Sequence, residues 1–289
     1  MALYLLDRNI VIDIKKYNGG SSVKNISIAK EIDKRKHTVS PILSILEGKR
    51  GAFQSSIQMN DLIQEESTAL ERFFKLAKVD SYLLNNKEEA ALLFSKFIEE
   101  KVSDKITFIM VCQELLKNLV GKEKVKSYLE EVLNLAKKYH VSVGEPYLLC
   151  AIAIVYGNQD AYKVLIKAEK DKTPEQNAYN AALDLRKIVD INLIFQSCKD
   201  GHCQETIRFL TRDKSLLNFM KFTRMHISNT IHYQKLDLFE HEYRLDNDDF
   251  FNNLPWLKDK GIVVESKKQY LIEQLQQYKR DSKIRVALN

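Results

Sequence analysis

The spacing of apolar positions changes character along the chain. Ala2-Leu3-Tyr4-Leu5-Leu6 is a continuous apolar run closed by Asp7. A short run of this kind, bounded by polar residues, reads as a strand buried on both faces, as in a parallel sheet. Residues 207–211 form a second such strand, closed by Asp213. His37-Thr38-Val39-Ser40 reads as a further short strand. Elsewhere the period is helical. Residues 9–16 predict a first helix that Asn9 is able to cap. Residues 17–26, with Gly19-Gly20-Ser21-Ser22, predict a loop, and 27–35 a short charged helix. Ser40-Pro41 opens a helix carrying Glu47, with Ser as the cap and Pro at the first helical position.

From about residue 61 to 172 the pattern is almost wholly helical. Leu62, Ala69, Phe73, Phe74, Leu76 and Ala77 share one apolar face, and 87–101, 104–119, 122–139 and 146–169 are further amphipathic stretches. Gly121, Gly144, Pro146 and Gly157 punctuate this block at plausible helix ends. No fixed-period repeat supports a solenoid. Thr173-Pro174 opens a helix that runs to about Lys199 and is ended by Gly201. A helix over 214–222 follows the second strand. Beyond it, 225–238 reads as strand or loop, 261–265 as a late strand and 267–280 as a terminal helix.

Parallel sheets hold their ligands at the carboxyl ends of the strands. Asp7 and Asp213 would both stand at that edge, about two hundred residues apart in sequence. Converging carboxylates repel one another, and a divalent cation is their natural partner. The plainer role for each is to cap the helix that follows it.

Leu6-Asp7-Arg8-Asn9-Ile10-Val11-Ile12-Asp13 and Leu210-Thr211-Arg212-Asp213-Lys214-Ser215-Leu216 together resemble the opening and closing motifs of a PIN domain. Arg8 departs from the Ser or Thr common at its position. The resemblance covers roughly residues 1–50 and 175–225. It implies an α/β, PIN-like three-layer fold with a central parallel sheet, enlarged by a helical insertion and mostly α overall. Residues 1–225 would be the PIN-like nuclease domain, with 61–172 a helical insertion or subdomain within it and 226–289 a C-terminal extension. PIN domains are magnesium- or manganese-dependent nucleases, many of them RNases and many of them toxins. The implied activity is a metal-dependent endonuclease, more a ribonuclease than a DNase, compatible with a toxin or phage-defence effector.

The resemblance also implies a set of acids that hold Mg2+ or Mn2+: Asp7, Glu47 in Leu43-Ser44-Ile45-Leu46-Glu47-Gly48, a third from the late helix, and Asp213. The third is either Asp190, which heads the run into the last motif, or Asp184. Asp184 shares a helix face with Asn180, four residues back, an arrangement suited to a cation or a water. Asp184 and Asp190 cannot both face one centre on a straight helix, so one of them is expected at the surface. Asn9, Asn180, Thr211 and Arg212 are the candidate substrate-binding residues, Thr211 through its hydroxyl and Arg212 through phosphate contact.

Composition narrows the field further. Hydrophobic residues make up 45% and charged residues 29%, ordinary for a globular protein. Lys and Arg outnumber Asp and Glu by 45 to 39, a net charge of +6 that suits a polyanionic partner without requiring one. Lys34-Arg35-Lys36-His37, with Lys49-Arg50, is either a nucleic-acid guide or a solvated face. Among the cysteines, Cys112 and Cys150 lie in apolar helical stretches and read as core residues. Cys198, His202 and Cys203 lack the fourth ligand and the spacing of a zinc site. Asp246, Asp248 and Asp249 read as a helix N-terminus, with no calcium loop. No P-loop, dinucleotide fingerprint or Gly-x-Ser-x-Gly elbow is present. No leader peptide or membrane span is visible, which makes a cytoplasmic location the expectation. Expected partners are nucleic acid, RNA before DNA, and an inhibitor or partner protein. The alternative from another class is a non-catalytic helical interaction protein on a degenerate PIN scaffold.

Overall fold

The computed structural model describes residues 1–48, 54–143, 145–166, 171–197, 206–223, 225–233, 236–243 and 248–286. Lys49, Arg50, Gly144, Cys198, Gly201, His202, Cys203 and Asp246 lie outside the described residues. In chain order the elements begin β1 (Ala2–Leu6), α1 (Arg8–Asn18), α2 (Ile26–Glu31), β2 (His37–Ser40), α3 (Ile42–Glu47) and α4 (Ser56–Phe73). Then come β3 (Lys78–Val79), α5 (Tyr82–Asn85), α6 (Lys87–Leu115), α7 (Val125–Lys138), α8 (Pro146–Val155) and α9 (Gln159–Leu165). The chain continues through α10 (Pro174–Ser197), β4 (Thr206–Leu210), α11 (Lys214–Phe222), β5 (Met225–Tyr233) and β6 (Leu236–Tyr243). It ends with α12 (Asp248–Asn252), β7 (Lys258–Asp259), β8 (Ile262–Val263) and α13 (Glu265–Val286). The chain packs as two compact units, residues 1–103 with 190–214, and residues 104–189 with 215–289.

The first unit is built on a parallel four-stranded sheet in the order β3-β2-β1-β4. The expected pairing of the first and last of these strands is present, with Leu5 opposite Phe209 and Leu6 opposite Leu210. Ala2, Tyr4 and Leu6 share one face of β1 and pack with Ile10, Val11 and Ile14 of α1 and with Leu70 and Phe73 of α4. Leu5 is buried as well, so β1 is apolar on both faces. Full burial of each such Leu or Ile stabilises the fold by roughly 1.5–3 kcal/mol. The chain steps from β1 to β2 to β3 in one direction, and β4 then joins the other side of β1. That reversal makes the β1–β4 crevice the switch point of the sheet, where open α/β sheets bind ligands.

Two local details differ from the sequence expectation. β3 has only two residues and no alternating pattern, so the helical reading of 61–172 passed over it. Asp33 anchors the approach to it, accepting from the backbone N–H groups of Lys75, Leu76 and Ala77. Burial alone would raise the Asp33 pKa, but the donors of Ala77, Lys75 and Leu76 bring it below its ordinary value. The helix after β2 starts at Ile42 with Pro41 in the cap position, one residue later than Ser40-Pro41 suggested. Ser40 instead ends β2, and its hydroxyl donates to Asp80 at 2.7 Å.

The second unit is mainly helical. Every residue of α8 is buried, the signature of a helix apolar all round. Gly157 divides α8 from α9 with φ +85, and a Cβ there would lie 2.6 Å from the Trp256 ring. Residues 87–115 form one continuous helix where two stretches were expected. Thr173 caps α10 through a reciprocal pair with Gln176: the Gln176 N–H donates to the Thr173 hydroxyl, and the Thr173 N–H to Gln176 Oε1. Cys112 and Cys150 are core residues, and burial pushes both thiol pKa values up. Met225–Tyr233 and Leu236–Tyr243 pair as an antiparallel ribbon of β5 and β6. Asp248 and Asp249 occupy the first turn of α12. Among the described residues no helix is long and apolar enough to cross a membrane.

Candidate active site

Asp7 follows β1 directly. Its backbone N–H extends the sheet by one bond to the Leu210 carbonyl, 2.9 Å. Its carboxylate is only 2% exposed. One oxygen accepts from the Arg8 N–H at 2.9 Å and so caps α1. The cap is therefore Asp7, and Asn9 lies inside the helix. The other oxygen accepts from the Asn9 amide and from the Thr211 hydroxyl. The Thr211 oxygen in turn accepts from the Asn9 amide and from the Asp213 N–H, both at 3.0 Å. Asn9 Oδ1 accepts the Arg212 N–H at 3.2 Å. Two chain segments two hundred residues apart are thus tied into one network at the switch point. The hydroxyl of Thr211 holds the turn that presents Asp213, which is half-buried. Arg212 keeps 38% of its side chain exposed while pairing with buried Asp13 at 3.2 Å.

A second charged centre adjoins this network through Arg8. The Arg8 guanidinium donates to Glu66 of α4 at 3.2 Å and to the Ser44 carbonyl of α3 at 3.5 Å. Glu66 is 1% exposed, and its Oε2 has no hydrogen bond. Burial raises the Glu66 pKa to about 7; Arg8 opposes the shift, and neighbouring Glu47 adds to it. The Ser44 hydroxyl lies beside the carboxyl without completing a hydrogen bond. Glu47 is therefore a buried residue in a charged pocket rather than a solvated helix glutamate.

Asp190 is buried and belongs to the first unit, whereas Asn180 and Asp184 are buried residues of the second. The expectation that one of the two aspartates would sit at the surface is corrected: α10 is buried all round from 178 to 191, both aspartates included. Asp184 pairs with the Lys187 ammonium at 2.9 Å. Both amide atoms of Asn180 are buried without a hydrogen bond. Lys34, Arg35 and Lys36 are exposed, as either reading of that stretch requires.

Arg8, noted in the sequence only as a departure from the PIN pattern, Asp13 and Glu66 were not singled out as site residues. Two of them carried a signal. The apolar stripe of α4 runs Met59, Leu62, Ile63, Leu70, Phe73, and Glu66 stands on it at helical spacing. Asp13 interrupts the run Ile10-Val11-Ile12-Asp13-Ile14.

The site chemistry suits a hard cation, because carboxylate and hydroxyl oxygens are the donors that Mg2+ and Mn2+ prefer. Among the described residues no three His, Cys, Asp or Glu side chains are grouped to hold a metal by themselves. Comparison with protein-family models, with curated proteins and with solved structures found no match.

Proposed function

We propose that this protein is a metal-dependent nuclease of PIN-like type, with RNA the first substrate to test. One observation carries the reading: β1 and β4, adjacent and parallel, bring Asp7 and Asp213 to the same edge of the sheet at its switch point. Asp7 and Asp213 are the residues that would hold Mg2+ or Mn2+, with Glu47 and Asp190 the further acids of the same unit. A bound cation of this kind neutralises charge on a phosphate and acidifies water. The chain's own share is positioning. Asn9 and the Thr211 hydroxyl hold Asp7 in one orientation, and the Thr211 oxygen holds the Asp213 backbone. Arg212, exposed beside them, is placed to meet a phosphate oxygen.

The test is Asp213→Asn. The amide keeps the shape of the side chain and removes the charge a hard cation needs. Cleavage of a labelled RNA should be lost while the variant melts no lower than the parent. Millimolar Mg2+ or Mn2+ should raise the parent's melting temperature through binding to the folded state, and the variant's much less. A melt indifferent to both metals, with cleavage unchanged in the variant, removes the catalytic reading and leaves the interaction-protein alternative.

Nucleic-acid affinity should fall with salt, because Lys and Arg contacts release counterions from phosphate. Arg212→Ala should reduce the slope of log affinity against log salt by about 1. Filter binding across a salt series measures both. Absence of RNA and DNA binding at low salt would again favour the alternative.

A further inference from the structure

Resting on that reading, we infer that Glu66 is a positioning residue of the hydrolytic site: by clamping Arg8 against α3 it sets the spacing of Asp7 and Glu47. The connection is short and continuous. Asp7 caps α1, and Arg8 is the first residue of that helix. The Arg8 guanidinium reaches Glu66 at 3.2 Å and the Ser44 carbonyl at 3.5 Å. Three residues beyond Ser44, the same short helix ends at Glu47. One guanidinium therefore joins the end of β1, α3 and α4, and it does so beside two of the proposed acids.

Packing alone does not account for Glu66. Its position is a core position of α4, between Ile63 and Leu70, and it is 1% exposed. A buried ion pair is costly to desolvate, and apolar residues of similar volume commonly serve stability as well or better. The pair is also incompletely satisfied, since Glu66 Oε2 has no hydrogen bond. What the pair supplies is direction. One terminal nitrogen of the rigid Arg8 guanidinium, Nη1, donates to the Glu66 carboxyl on α4 and to the Ser44 carbonyl on α3, which ties the two helices in a way an aliphatic contact does not. Arg8 is also where the chain departs from the Ser or Thr of the PIN pattern. A Ser or Thr side chain is too short to span to α4, so the clamp belongs to this chain.

The experiment compares four proteins on one labelled RNA with saturating and limiting magnesium: the parent, Asp213→Asn, Glu66→Gln, and the double variant Arg8→Met/Glu66→Met. Glu66→Gln should lower kcat by about 10- to 100-fold, the range typical of residues that orient a metal ligand. It should raise the magnesium needed for half-maximal rate and change KM for RNA by less than about twofold, because Thr211 and Arg212 are untouched. The double variant should melt at or above the parent, yet stay about 100-fold down in kcat. A double variant that is stable and cleaves like the parent would show the pair to be packing alone and overturn the inference. So would Glu66→Gln with parental kcat, while loss of cleavage in Asp213→Asn would keep the nuclease reading standing. A parent that does not cleave, or an active Asp213→Asn, removes the nuclease reading and this inference with it.

Discussion

Asp7→Ala is expected to melt roughly 10 °C below the parent and to show no cleavage, whereas Asp213→Asn loses cleavage alone. The difference lies in what each carboxylate does when no ligand is bound. Asp7 accepts from the Arg8 N–H, the Asn9 amide and the Thr211 hydroxyl, and it is buried. Truncation removes a helix cap, worth about 1 kcal/mol. It also leaves two side-chain donors without their acceptor, at roughly 1–3 kcal/mol each. Relief from burying a carboxylate offsets part of that loss, leaving a net of about 3 kcal/mol. For a chain of this size that corresponds to roughly 6–12 °C. Asp7→Asn should fall between the two. Its amide nitrogen must face either the Arg8 N–H or the Asn9 amide, and each arrangement sets donor against donor. Calorimetric scans of the three variants check the ordering. Asp7→Ala melting within about 1 °C of the parent would mean that the network does not hold β1 to β4.

The parts of the site that were legible in sequence are those fixed by local pattern. A strand buried on both faces must be apolar throughout, so Ala2–Leu6 was visible, as was the aspartate closing it. The pairing of β1 with β4 followed from their likeness, and with it the meeting of the two aspartates. β3 was not legible, because two residues carry no period. The break expected between the stretches 87–101 and 104–119 is absent, because with no Gly or Pro there the helix of 87–115 runs through it. The role of Asn9 was misassigned for a different reason. Asp7 and Asn9 are both good caps, and only the β4 partner Thr211 decides which of them turns inward. Glu66 was missed because the stripe of α4 was read for its apolar members, when the informative residue was the charged one among them.

The same residue gives the protein a distinctive pH dependence. An unfolded glutamate ionises near 4.5, and Glu66 in the folded protein retains its proton up to about 7, because burial disfavours the carboxylate more than Arg8 favours it. Between those values the folded state holds more protons than the unfolded state, so stability falls as pH rises. The contribution is fully present below about pH 4.5 and lost once pH passes about 7. The span corresponds to a loss on the order of 3 kcal/mol for this one group. Glu66→Gln removes the titration, so its stability should not share this decline. The difference between the urea unfolding curves of the two proteins from pH 5 to 8 reports on Glu66 and its charged neighbours. That difference should move in favour of the glutamine variant as pH rises, with most of the change complete by pH 8. Parallel profiles would mean that Glu66 is already ionised at pH 5, and that Arg8 outweighs the cost of burying its charge.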